Sequence, residues 1–220
     1  MKKITRIFCG ILFSVSVLLN GLPITLNAEN TEELYYESYA ADENGNIYEI
    51  QPVLLDRVQN VDTEEYSVSY LYEFSFPDQL VNIQLPSGES VNSSSSDTGY
   101  DSHGQLRVVL TIFYLTSGNG YLLTKVTGNW TFFDTGTSIT DKELCFGCVG
   151  SSYSSMQQRR TVTPGTPFTY STGFTEYVNN EAGSALGAVI SFTLYNGSTW
   201  DFVLRNNLFA NGADIGGRGF

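Results

Sequence analysis

The stretch Leu106–Phe133, "LRVVLTIFYLTSGNGYLLTKVTGNWTFF", decides the fold. Two runs rich in β-branched and aromatic residues flank "SGNG" (117–120), whose glycines stand where a tight hairpin needs positive φ. In the second run Leu122, Val126, Trp130 and Phe132 share one parity, while Lys125, Thr127, Asn129 and Thr131 take the other. A period of two with one apolar side predicts a strand with one face in the core and one in water.

The pattern repeats outward from there. "AVISFTLY" (188–195) and "STWDFVLRN" (198–206) flank Asn196-Gly197 and predict a second hairpin, with Ile190, Phe192 and Leu194 facing Trp200, Phe202 and Leu204 inside. "SITDKELCFGCV" (138–149) and "PFTYSTGF" (167–174) supply strands between the hairpins. "YSVSYLYEFSF" (66–76) is a strand ended by Pro77, and "LVNIQL" (80–85) another stopped by Pro86. "SGESVNSSSSDTGYDSHG" (87–104) holds too little apolar content to pack and reads as a loop. No helical three-four spacing survives in 106–206. The expected fold is all-β, an antiparallel β-sandwich of about eight to nine strands spanning residues 46–207.

The ends read differently. Lys2, Lys3 and Arg6, then an apolar run from Ile7 to Leu19 and a small residue at Ala28, predict a secretory signal peptide over 1–28. The protein is therefore expected outside the cell, with no membrane partner after cleavage. Residues 29–45, "ENTEELYYESYAADENG", read as a flexible acidic arm, and 208–220 as a flexible tail. Asn44-Gly45 offers a hairpin turn before "NIYEI". Asp42, Asn44 and Asn46 have the spacing that opens a calcium loop, but Ile47 stands where that loop needs glycine and no glutamate closes it. A turn is the better reading.

Charge is lopsided. The chain has 11 bases and 23 acids; without Lys2, Lys3 and Arg6 the balance is 8 against 23, a net charge of −15. Glu29 to Asp101 carries 16 acids and one base, Arg57, whereas 102–220 carries seven of each. Such a field repels phosphate backbones, so nucleic acid is excluded as an expected partner. The chain is 41% apolar, and 192 residues beyond the signal segment suffice to bury one core.

Reactive groups are few. Cys145 and Cys148, in "ELCFGCV" (143–149), precede no helix that would activate a thiol. A zinc site would need more ligands than these two and His103. A disulfide is a candidate only if a turn or bulge at Phe146-Gly147 brings the sulfurs together, since residues three apart on a strand lie about 10 Å apart and bridging needs about 7 Å. Two free strand cysteines are the better reading. His103 lies in the serine-rich loop, and no nucleophile elbow occurs. Asp134, Asp141, Glu143 and Asp201 are the carboxylates of the strand-rich part, and nothing singles out two of them for glycosidic cleavage. Aromatic residues are in surplus, and Tyr121, Tyr170 and Tyr195 are candidates for outer-face binding rings. No cofactor, metal or enzymatic activity is expected.

At "VVLTIFYLTSGNGYLLTKVTGNWTF", "YSTGF" and "TLYNGSTWDFVLRNN" the chain resembles a loose group of uncharacterised secreted β-rich proteins of Gram-positive, largely gut-dwelling, bacteria. The shared pattern is a long hairpin with an "LTKVTG-W" second arm and a terminal hairpin ending in an "L-NN" element, over about residues 105–207. The resemblance implies export and a β-fold and carries no catalytic residue across. A secreted, non-catalytic extracellular interaction module is the expected function, its partner an unidentified protein or glycan. A glycan-binding module is the alternative, and a glycoside hydrolase a remote one.

Overall fold

The computed structural model describes residues 38–76, 105–132, 136–150 and 157–217. Residues 1–37, the strand read at 80–85, the loop 87–104 with His103, and Asp134 lie outside the described residues. Twelve strands follow in order: β1 (Tyr39–Asp42), β2 (Ile47–Glu49), β3 (Val53–Gln59), β4 (Tyr66–Ser75), β5 (Gln105–Ser117), β6 (Gly120–Phe132), β7 (Ser138–Val149), β8 (Gln157–Val162), β9 (Phe168–Ser171), β10 (Val178–Asn179), β11 (Ser184–Tyr195) and β12 (Thr199–Asn211). Two six-stranded antiparallel sheets form. Sheet A runs β2-β1-β12-β11-β7-β8; sheet B runs β10-β6-β5-β4-β3, with β9 also on β6. The fold is the all-β sandwich expected, with twelve strands among the described residues rather than eight to nine.

The two predicted hairpins are its backbone. Gly118, at φ +59, opens a two-residue connection that sets Ser117 opposite Gly120, and β5 and β6 stay paired out to Leu106 and Phe132. In the other hairpin Trp200 faces Leu194, Phe202 faces Phe192 and Leu204 faces Ile190, all buried. Phe192 and Phe202 stack with centroids 5.1 Å apart. Opposite them sheet B contributes Val68, Tyr72, Leu106, Val108, Leu110, Ile112 and Val126 to the same core. In β6 the alternation breaks at one point. The register with β5 slips between Phe113 and Tyr114, leaving Thr124 unmatched, so both Leu122 and Leu123 are buried. Trp130 and Phe132 are half-buried against the core.

Both expected ends of the domain move outward. β1 lies inside the stretch read as an arm: Ala40 is fully buried opposite Phe202, and β1 pairs with β12 from Tyr39 to Asp42. β12 itself continues to Asn211, and Ile215 is buried beyond it. The chain therefore belongs to the sandwich from at least Ser38 to Gly217. Asn44-Gly45 does turn the chain, with Gly45 at φ +80 and its N–H donating to Asp42 O. The Asp42 carboxylate accepts from the N–H groups of Asn44 and Asn46 and from Asn46 Nδ2, which closes it on its own turn.

Candidate functional site

The two cysteines of "ELCFGCV" are held apart by the strand that carries them. β7 pairs without interruption from Leu144 to Val149 on β11 and on β8, so Phe146-Gly147 makes neither turn nor bulge. The cysteines consequently point to opposite sides of sheet A, and both are free; the candidate disulfide is not formed. Cys148 joins the core, its Sγ directed at Tyr121 O and Glu176 O. Cys145 lies on the outer side, its Sγ 3.3 Å from Thr161 Oγ1 and 3.5 Å from Glu143 Oε1. Burial pushes both thiols up; at Cys145 the Thr161 hydroxyl pulls down and the Glu143 carboxylate adds to the rise. Neither thiol is poised as a nucleophile.

What covers Cys145 is the segment after β12. Ile215 packs on Ala185, Val189 and Val203, the outer-face side chains of sheet A. Asp214 holds the segment down: its carboxylate sits 3.6 Å from Arg205 Nη1, and its carbonyl accepts from Arg159 Nη2. Gly217, at φ +115, lies so flat on the sheet that a Cβ there would meet Val189 Cγ1 at 2.8 Å. The stretch read as a tail is therefore a strap.

The carboxylates do not assemble either. Asp141 takes φ +50 where β7 slips against β11, and it is exposed. Glu143 and Asp201 stand on strands separated by β11, and Asp201 accepts from Thr193 Oγ1 at 2.6 Å. Among the described residues no group of three or more His, Cys, Asp and Glu is gathered for a metal ion. The candidate rings are likewise scattered. Tyr121 is half-buried against Tyr114 and Phe209, and Tyr170 stacks on Phe146 and donates to Thr163 O. Tyr195 is 53% exposed at the end of β11 in sheet A, whereas the other open tyrosine among the described residues, Tyr177 at 37%, leads into β10 of sheet B. These two rings do not form a row.

The feature that sequence reasoning missed is β3. Every residue of Val53–Gln59 is exposed, with Val53, Leu54, Leu55 and Val58 between 45% and 54% and Val61 just beyond at 86%. β3 ends sheet B, so its side away from β4 has no partner strand among the described residues. The other lateral boundaries are managed. β2 and β10 are three and two residues long. β8 carries Arg159 and Arg160, and Gln158 ties it to the 175–176 backbone through both ends of its amide. At β3 an edge of seven residues, apolar at four of them and bulged between Leu54 and Asp56, has no partner strand among the described residues. An open edge offers unpaired N–H and C=O groups as a template for another strand. The sequence signal was present as "VLLDRVQ", which lacks alternation because neither of its faces is covered.

Comparison with known proteins yields no match: no family model, no curated protein and no solved structure corresponds to this chain.

Proposed function

We propose that the chain is a secreted, non-catalytic interaction module that engages a polypeptide partner by strand addition at β3. The observation that carries this reading is the exposed seven-residue edge of sheet B, apolar at four positions. Main-chain pairing along such an edge gives affinity, and alternate side chains give selectivity. Dispersed carboxylates, buried thiols with raised pKa and the absence of a row of open rings among the described residues leave the hydrolase and glycan readings without comparable support. The test compares the protein with a Leu55→Lys/Val58→Lys variant as bait in its native surroundings. Partners retained by the first and lost by the second support the reading. Turnover of an oligosaccharide that disappears on changing Glu143 or Asp201 would replace it with the hydrolase reading.

A further inference from the structure

The geometry points to a basic, extended polypeptide segment as the occupant of the β3 edge, an inference that rests on the strand-addition reading above. The strand itself is apolar at four of seven positions, but its ends are acidic. Asp62 and Glu64 follow it in the turn to β4, Glu49 precedes it by four residues, and Asp56 lies within it. Among the described residues, no lysine or arginine forms an ion pair with Asp56, Asp62 or Glu64, whereas Glu65 and Glu73 are already engaged by Lys125 and Arg107. From Ser38 to Phe76 the described chain carries eight acids and one base, Arg57. An added strand of about seven residues spans this edge at 3.3–3.4 Å per residue. Apolar side chains at its centre would meet Leu54, Leu55 and Val58, and cations at its two ends would meet Glu49 on one side and Asp62 with Glu64 on the other.

The same charges argue against a second copy of this chain. Antiparallel pairing of two identical edges about a two-fold axis normal to the sheet sets each residue opposite one whose number completes a constant even sum. Centred on β3, that lays Asp56 on its own equivalent. Like charges directly opposite destabilise a strand pair.

The experiment measures binding of two capped peptides to the secreted protein, Lys-Lys-Val-Thr-Val-Thr-Val-Lys-Lys and its counterpart with glutamate for every lysine. The basic peptide is expected to bind at least about tenfold more tightly, and to weaken severalfold when salt rises from about 0.15 M to 0.5 M. Asp62→Lys with Glu64→Lys should erase that preference. Leu55→Lys with Val58→Lys should abolish binding of both peptides; all four positions are surface residues, and thermal melts verify that the variants fold. Equal binding of the two peptides would overturn charge selection while leaving strand addition intact. A concentration-dependent dimer dissolved by Val58→Lys would make a second copy the occupant. Basic-peptide binding unchanged by the β3 variant would overturn strand addition at this edge as well.

Discussion

Asn206 Nδ2 donates to Leu110 O across the interior of the sandwich at 2.8 Å, and the same amide reaches Val68 O at 3.0 Å. One residue earlier on β12, Arg205 O accepts from the buried Tyr72 hydroxyl at 2.6 Å. These bonds join the two sheets from adjacent residues of β12, within a mainly apolar core. Bonds of this kind fix how the sheets register, because a buried donor without its acceptor is costly.

Substituting Asn206 tests that point. Asn206→Leu keeps roughly the same volume but removes both donations, with an expected loss of about 2–3 kcal/mol in denaturant unfolding. Asn206→Asp should cost more, since it has no donor when ionised and buries a charge. Equal effects of the two changes would show that packing alone matters there.

Tyr72→Phe removes only the hydroxyl. It should cost about 1–2 kcal/mol and leave the core volume unchanged. Burial of Tyr72 pushes its hydroxyl far above the ordinary range, so the bond to Arg205 O persists throughout the pH range in which the protein is folded. A double variant with Asn206→Leu is expected to be less than additive, because the two bonds flank one peptide unit.

The β1–β2 turn supplies a pH response. Partial burial raises the Asp42 carboxyl, but the donations from Asn46 and Asn44 outweigh it and hold its pKa below the usual value. A depressed folded-state pKa gives stability that is present above the unfolded value, about 3.9 for aspartate, and is lost as pH falls through the lower folded value. The protection of the Asn44 and Asn46 amides, relative to an unstructured chain at the same pH, should therefore fall below about pH 4, and Asp42→Ala should lower it to that level at neutral pH, at a cost of about 1 kcal/mol. Protection in the Ala variant that still falls below about pH 4 would assign the effect to another group.

Much of this architecture was legible, and the failures have physical causes. Trp200, Phe202 and Leu204 face Leu194, Phe192 and Ile190 as their parity dictates, because a strand buried on one face must alternate. Leu123 escaped the pattern because Thr124 is an extra residue in β6. β1 was hidden in an acidic run since four residues, one of them the buried Ala40, carry too short a period to read. For β3 the lack of alternation in "VLLDRVQ" was a signal, but its place in the sheet was not readable. Its open edge is a product of strand order in sheet B, which local sequence does not encode.

The strap over sheet A makes the two thiols distinguishable. Cys145 is covered from outside by 214–217, with a Cβ built on Gly216 falling 3.6 Å from its Sγ, whereas Cys148 is sealed between the sheets. Ile215 is the strap's apolar anchor and is 3% exposed. Ile215→Asp would force an unpaired carboxylate against Val189 and Val203, a cost of several kcal/mol that the segment avoids by lifting off rather than by unfolding the sandwich. In protein lacking residues 1–28, Cys145 should then react with a small alkylating reagent while Cys148 stays protected, as read by peptide mass. In the unmodified chain both should react only on denaturation. Simultaneous exposure of the two thiols in the Ile215→Asp variant would mean that the strap and the core unfold as one unit, and protection of both would mean that Cys145 is shielded by the sheet itself.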